Sequence, residues 1–344
     1  MTTTPTKLHG AAAIVAQART PSRTLRRVRE GIVYSLLVAS GLFSVLVTLA
    51  IVGVLSWETA RFFGFFRATV DKHAESVSLT DYLFGIEWTP LLGGANKAFG
   101  MWPLVTGTLM VTVIAASVAL PLGLIVAIYL SEYASTRVRA VLKPVLEVLA
   151  GIPTVVYGFF ALTVITPALQ WVAYNTTGSE IFANFNSTSA GIAVGIMCLP
   201  MVSSLSEDAL RAVPRSLRDG AFAMGATKFD VATKVVTPAA LSGIIASFLL
   251  AIARAVGETM IVALAAGGLA QMAFGPSAEG IVFRPHEGSQ TMTAYMVQLF
   301  LGDAQFGSVE YYSAYVVGFT LFIMTLTLTI AGNWVLKRFR EEYE

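Results

Sequence analysis

Charged residues are scarce in this sequence, where they make up 13% of 344 residues, about half of their share in soluble domains. Hydrophobic residues account for 55% of the chain, a larger share than is usual in water-soluble domains. The net charge of +2 is too small to indicate a nucleic-acid partner. The composition therefore predicts a protein that lies in a lipid bilayer.

The chain has a single cysteine and lacks the common ATP-binding motif. The single cysteine, Cys198, excludes both a disulfide framework and a cysteine metal cluster. The chain has no G-x-x-x-x-G-K-[ST] run, in which backbone amides and a lysine hold the phosphates of ATP. We therefore expect no cofactor in this chain, and any ATP chemistry must belong to another polypeptide.

Long apolar runs predict an all-α membrane protein with about six transmembrane helices, because about 20 apolar residues in a helix cross a bilayer core. Three such runs contain no charged residue: 31–57, 103–130 and 313–334. Three others are shorter, contain Gly or Pro, or are interrupted by charge: 148–166, 190–205 and 239–266. Short and kinked spans are typical of helices that pack inside a bundle.

The distribution of Lys and Arg predicts the orientation. Most of the 23 basic residues lie before the first span, after the last span, between spans two and three, or between spans four and five. Basic residues mark cytoplasmic segments, so both termini should be cytoplasmic. The predicted organisation is a cytoplasmic arm at 1–30, a transmembrane domain at 31–337 and a cytoplasmic tail at 338–344. The first apolar run is too long for a signal peptide, whose apolar region has about 7 to 15 residues.

Three loops should face the other side of the membrane, at about 58–102, 167–189 and 270–312. Aromatic residues near the first two spans predict rings at the headgroup level: Phe62, Phe63, Phe65, Phe66, Trp88 and Trp102. Apolar residues in the third loop recur at helical spacing: Met292, Tyr295, Met296 and Leu299. They predict a short helix, which either lies at the interface or forms part of a docking face.

The segment between spans four and five, 207–238, carries strong local signals. Pro214 can begin a helix, because its missing N–H would have no partner in the first turn. Leu217, Ala221 and Met224 would form one apolar edge of this helix. Gly225 suits the left-handed residue that ends a helix. The pattern predicts a short helix that closes at a glycine turn.

A second short helix should follow, since Thr227 can cap it with Asp230 three residues later and Pro238 can lead into span five. A pair of helices of this kind could bind DNA, act as a plain connector, or dock a cytoplasmic partner. Attachment to membrane spans at both ends argues against DNA, and the careful capping argues against a plain connector. Docking is the favoured interpretation.

Two charged residues interrupt the fifth predicted span. Arg254 and Glu258 are four positions apart, so a continuous helix would place them on one face, where they can form an ion pair. Charge at membrane depth is expensive and usually faces a cavity or a partner. The pair could fasten span five to its neighbours, or Arg254 could offer an anion its forked donors while Glu258 positions it.

The segment 207–238 resembles the EAA loop of permeases from binding-protein-dependent ABC importers, whose pattern is E-A-A, three residues, G, nine residues and I-x-L-P. The spacing is kept, although some identities differ. The matching residues are Asp219, Gly220, Ala221, Gly225, Val235, Thr237 and Pro238. The resemblance implies that the loop docks into a cleft of an ATPase subunit that binds ATP and Mg²⁺.

Three further runs are similar to phosphate importer permeases of the PstC and PstA type: IPTVVYGFFAL at 152–162, VTPAALSGI at 236–244 and RAVGETM at 254–260. GETM favours the PstC type. The resemblance implies phosphate transport across the inner membrane, with Arg254 and Glu258 in the substrate pathway. It also implies two ATPase copies, a second PstA-like permease and an extracytoplasmic phosphate-binding protein. Another oxyanion, sulfate or molybdate, and a secondary transporter are the alternatives.

Overall fold

The computed structural model describes residues 23–64, 77–92, 97–277, 280–302 and 304–338. The chain divides into two compact units, Met1–Val54 and Leu55–Glu344. The first helix begins at Arg23, inside the arm predicted at 1–30. Phe65, Phe66 and the predicted cytoplasmic stretches 1–22 and 339–344 lie outside the described residues.

The described chain is mostly helical. Its elements are α1 (Arg23–Phe62), α2 (Leu79–Phe84), α3 (Trp102–Ile128), α4 (Thr136–Ala150), α5 (Thr154–Phe160), α6 (Thr166–Thr177), α7 (Ser187–Ala212), α8 (Arg215–Ala223), α9 (Lys228–Asp230), α10 (Thr237–Ala239), α11 (Leu241–Val256), α12 (Met260–Ala265), β1 (Phe274–Ser277), β2 (Gly280–Phe283), α13 (Met292–Leu301) and α14 (Val309–Arg338). Wider π-helical turns follow α3, α5 and α9, at Tyr129–Tyr133, Ala161–Ile165 and Val231–Val236. The strands β1 and β2 form an antiparallel hairpin. The prediction of an all-α membrane fold is confirmed, with this small hairpin added.

By length and composition, five described helical stretches could cross a membrane: Arg29–Phe62, Trp102–Tyr133, Thr154–Thr177, Ser187–Ala212 and Val309–Arg338. A sixth requires counting Lys228–Ala239 and Leu241–Val256 together, although they are bent by 71°. The predicted third span at 148–166 and the loop at 167–189 are therefore misplaced. Pro153 explains the shift, because it disfavours helical geometry at Ile152 and starts a new helix after α4.

The core of the second unit lies where α3 and α7 cross α5, α11 and α12. Two glycines of α7 allow α3 to approach closely. A Cβ atom at Gly191 would lie 2.6 Å from the Cβ of Ile114, and one at Gly195 would lie 2.8 Å from the Cβ of Val118. Small residues bring membrane helices together in this way, so α7 is the central helix of the bundle.

Helix α7 separates two ends of the second unit. At its N-terminus, Ser187 N–H donates to Glu287 C=O and Thr188 N–H to Pro285 C=O, next to the β-hairpin. We call this the hairpin end, formed by residues 183–189 and 266–293. At the other end, α7 leads into residues 207–238, which we call the linker.

Aromatic side chains form a packed cluster near the hairpin end. Trp88 is 3% exposed, and its ring centroid lies 5.0 Å from that of Tyr295 in an edge-on arrangement. Phe62 is also buried and meets the rings of Tyr82 and Phe99 edge-on. Phe62 and Trp88 therefore face the protein interior, because residues distant in sequence cover them.

The helix predicted in the third loop exists as α13, but its apolar face does not form a docking surface. Met292, Tyr295 and Leu299 are buried in the core. Tyr295 Oη lies 2.5 Å from Ser313 Oγ of α14. Helical spacing predicted the element correctly, while its environment depended on α14 and Trp88.

Candidate functional site

The fifth predicted span is broken where its two charged residues lie. Helix α11 ends at Val256 and α12 begins at Met260, so Glu258 is in neither helix. The Glu258 carboxylate turns toward α12, where Oε1 accepts hydrogen bonds from Met260 N–H at 3.2 Å and Ile261 N–H at 3.4 Å. A carboxylate that satisfies the first amides of a helix favours a new helix start over continuation.

Arg254 and Glu258 therefore do not form the predicted ion pair. Arg254 is exposed on α11, and its Nη2 lies 3.8 Å from Met197 Sδ. Within the described parts of the chain, no salt bridge joins Arg254 to a carboxylate. Glu258 is only 8% exposed. The break thus separates a solvent-accessible guanidinium, whose donors can reach a ligand, from a buried glutamate that fixes the backbone.

Sequence reasoning missed a residue that reaches the break from the hairpin end. Thr293 Oγ1 donates to the backbone C=O of Glu258 at 2.7 Å, and both residues are buried. Beside it, Met292 N–H donates to Thr108 Oγ1 of α3 at 3.0 Å. Polar residues around the start of the apolar helix α13 were the signal that could have drawn attention to this contact: Ser289, Gln290, Thr291 and Thr293.

The linker has the predicted backbone. Helix α8 follows Pro214 and closes at Gly225, whose φ of +85° is left-handed. Thr227 Oγ1 caps the next helix by accepting from Asp230 N–H at 3.2 Å. Met224 departs from the prediction, because it is 86% exposed instead of lying on the packed edge of α8. Gly225 turns the chain directly after it, which points Met224 away from the core.

The predicted coupling residues occupy different environments within the linker. Ala221 is buried and packs α8 onto the bundle, whereas Asp219, Gly220 and Pro238 are exposed. Three large apolar side chains are exposed around the glycine turn: Phe222, Met224 and Phe229. An exposed apolar patch with a polar rim is typical of a protein interaction site. The linker therefore presents a surface on which a partner can dock.

Arg218 fastens this linker to the second span. Its guanidinium donates to Val213 C=O at 2.6 Å, to Leu210 C=O at 2.8 Å and to Glu132 Oε1 at 3.1 Å. Lys228 Nζ lies 5.1 Å above the ring of Tyr133, in the same π-helical turn as Glu132. No local pattern signals these contacts, since Glu132 and Arg218 are 86 residues apart along the chain.

A buried carboxylate fastens α4 to α7. Glu207 is fully buried, Arg139 donates to its Oε1, and Lys143 Nζ lies 3.5 Å from its Oε2. Arg211 adds a third cation at 3.9 Å. The pKa of Arg139 is lowered mainly by burial and, to a smaller extent, by repulsion from Arg211. The guanidinium nevertheless stays charged. This cluster holds the start of the linker rigidly beside α4.

Comparison with known proteins relates the whole arrangement to transport proteins. The family model "Binding-protein-dependent transport system inner membrane component" matches residues 119–341, which include the linker and the break. The chain is 32% identical to the probable ABC transporter permease protein YqgH of Bacillus subtilis strain 168 over 262 residues, 76% of this chain and 79% of that protein.

A second relative extends over nearly the whole chain. The phosphate transport system permease protein PstC of Xylella fastidiosa strain Temecula1 is 27% identical over 340 residues, 94% of this chain and 96% of that protein. A crystal structure of a bacterial ABC transporter involved in import of the acidic polysaccharide alginate has a TM-score of 0.60 at 13% identity. It covers 93% of this chain and 100% of the other, and it indicates a shared fold only.

Proposed function

This chain belongs to the family of inner membrane components of binding-protein-dependent transport systems, and we propose that it is the permease subunit through which an ATP-driven importer moves inorganic phosphate. Its role as a membrane permease subunit agrees with the resemblance found in the sequence. Transport requires no covalent chemistry from this chain. What it must supply is a pathway whose access alternates between the two sides of the membrane.

The observation that carries the phosphate proposal is the accessible guanidinium of Arg254 at the break. An arginine stays ionised, and its planar fork matches two oxygens of a phosphate. No carboxylate in the described chain forms a salt bridge with Arg254, so the charge remains available. The similarity to the PstC protein of Xylella fastidiosa favours phosphate over sulfate or molybdate, which carry the same oxygen geometry.

The linker is proposed as the docking element for the ATPase. Its exposed Phe222, Met224 and Phe229 offer apolar contact, while Asp219 adds a charge at the rim. The ATPase would be present in two copies and would bind ATP and Mg²⁺, because this sequence has no Walker A motif. Movement of the docked linker would pass through Pro238 to α11 and the break.

The proposed orientation places the linker and both termini in the cytoplasm and the hairpin end outside. The basic residues near the linker support this orientation. A second, PstA-like permease would complete the pathway, and a phosphate-binding protein would deliver substrate at the hairpin end. The lipid bilayer covers the apolar helices, and nothing in the charge distribution favours a nucleic acid.

Radiolabelled phosphate uptake tests the substrate. Cells that lack this chain should recover uptake when the wild-type gene is supplied, and excess sulfate or molybdate should not compete. Recovery that sulfate or molybdate abolishes would assign the permease to that oxyanion. Uptake that does not depend on the chain would reject phosphate transport and leave the family membership intact.

Replacing Gly225 with Ala should weaken coupling between ATP hydrolysis and uptake. A Cβ there meets no atom within 4 Å, so the penalty is the left-handed backbone itself, about 1 to 2 kcal/mol. We expect several-fold less phosphate transported per ATP hydrolysed in reconstituted vesicles. Gly178→Ala is the matched control, because Gly178 has φ +71° and equally open space but lies outside the linker. Equal losses in both variants would show that backbone strain, rather than the linker, is responsible.

A further inference from the structure

The hairpin end reaches into the bundle and holds the broken fifth span. The chain leaves β2, follows an irregular path through residues 284–291, and enters α13 at Met292. Ser289 N–H donates to Ala266 C=O at 2.9 Å, and Gln290 N–H donates to Leu269 C=O at 3.0 Å. We call residues 284–291 the strip. The two bonds fasten the strip to the residues that follow α12.

Close contact with α3 fixes the other side of this strip. A Cβ on Gly107 would lie 2.4 Å from the carbonyl oxygen of Gln290, so only glycine permits the observed approach. Thr108 Oγ1 accepts the N–H of Met292 at 3.0 Å. The strip is therefore held between α3 and the end of the fifth span, and Thr293 is directed at the break.

Thr293 is the only residue of α13 with a described side-chain hydrogen bond to Glu258. Its hydroxyl donates to the Glu258 carbonyl at 2.7 Å, and Thr293 is 4% exposed. Water is largely excluded from such a position, so losing the donor would leave the carbonyl with one partner fewer in an apolar setting. Thr291 Oγ1 lies 3.2 Å from Thr293 Oγ1, within hydrogen-bond distance, and helps to hold the Thr293 hydroxyl in place.

Glu258 is consequently held at two points. Its carboxylate is bound by the first amides of α12, and its carbonyl is bound by Thr293. Arg254 lies one helical turn earlier in the chain, at the end of α11. A shift of Thr293 would therefore displace the end of α11 and change the position of the Arg254 guanidinium relative to a bound anion.

The far side of α13 connects Thr293 to Trp88 and the start of α14, which lie next to the hairpin end. Tyr295, one turn from the start of α13, is buried against Trp88 and bonds Ser313 of α14. A well-packed helix moves as a rigid unit, so displacement of Trp88 or the start of α14 would move α13 as a whole. The contacts form a continuous path from Trp88 and α14, through α13, to Thr293 and the break.

We propose that Thr293 is a positioning residue that transmits docking of the substrate receptor at the hairpin end to the Arg254 and Glu258 break. This inference rests on the proposed function, because it assumes that a receptor delivers the anion at that end. Thr293 does not contact substrate in this scheme. It sets the backbone geometry that the substrate-contacting guanidinium depends on.

Thr293→Val tests the proposal, because valine keeps the shape of threonine and lacks the hydroxyl. Thr293→Ser keeps the hydroxyl, and Thr112→Val removes a buried hydroxyl that bonds only within α3 among the described contacts. In the purified complex without substrate, amide exchange at residues 257–262 should be about tenfold faster in Thr293→Val than in the other two variants, as expected for one lost buried hydrogen bond.

A second measurement separates transmission from general damage. In vesicles that contain the complete transporter, the ratio of ATP hydrolysis with phosphate-loaded receptor to hydrolysis without receptor should fall at least threefold in Thr293→Val. Thr293→Ser should restore it, and equal amounts of assembled complex should be present. An unchanged exchange rate or an unchanged ratio overturns the proposal. Failure of the wild type to move phosphate would reject the proposed function, while the exchange measurement would still test the contact.

Discussion

Replacing Arg254 with Gln is expected to reduce phosphate uptake about 100-fold at normal levels of the protein in the membrane. The guanidinium is exposed at the break and forms no described salt bridge, so its interaction with a transported anion should be nearly undiminished. A charged hydrogen bond contributes about 1.5 to 3 kcal/mol, and each 1.4 kcal/mol corresponds to a factor of ten. Uptake of radiolabelled phosphate over a range of concentrations provides the measurement.

Two control variants define what such a loss means. Arg254→Lys keeps the charge but lacks the planar fork, so intermediate uptake is expected. Arg137→Gln removes an exposed positive charge from α4, far from the break in sequence, and should leave uptake close to wild type. Full uptake by Arg254→Gln would show that the pathway does not use this guanidinium and would remove the main support for an anion site at the break.

Replacing Arg218 with Met is expected to uncouple ATP hydrolysis from transport. The substitution leaves two buried carbonyls, those of Leu210 and Val213, without their charged donor, and it leaves Glu132 without a cation. Removing one partner of a largely buried charged pair costs about 3 kcal/mol. The linker should then loosen from the second span, so that ATP hydrolysis continues while uptake per ATP falls at least tenfold in reconstituted vesicles.

Arg215→Met is the matched control, because Arg215 begins the same helix and is exposed. It should retain coupling, whereas Arg218→Lys should be intermediate since one ammonium cannot reproduce the three bonds of the fork. Glu132→Gln, combined with Arg218→Met, completes a double-mutant cycle, in which the two losses should not add. Normal coupling in Arg218→Met would mean that the linker acts through Pro238 and α11 alone.

Local patterns account for the parts of the structure that the sequence predicted well. Apolar runs located the helices, because crossing a bilayer or filling a bundle requires a minimum length of apolar helix. The turn at Gly225 and the cap at Thr227 also followed from the sequence, since each depends on residues within one helical turn. The relation to importer permeases rested on spacing within the linker, and the family match bears it out.

Errors arose where a residue's environment is set by distant parts of the chain. A continuous fifth span was expected, and only the structure revealed the break at which Glu258 bonds the first amides of α12 and, among the described contacts, forms no salt bridge with Arg254. Trp88 and α13 were assigned to an interface because their covering partners belong to other helices. Periodicity reports which side chains share a face, but it carries no information about what packs against that face.

The sequence by itself determined a helical membrane protein, the two-helix linker with its glycine turn, and an arginine and a glutamate within the fifth apolar run. Tertiary structure alone decided which groups those charges contact. The partners that define the site are Thr293 for Glu258, Glu132 for Arg218 and Arg139 for Glu207, and they lie 35, 86 and 68 residues away along the chain. Buried polar groups must find donors and acceptors wherever the packed helices bring them, and packing is a property of the whole bundle rather than of any segment.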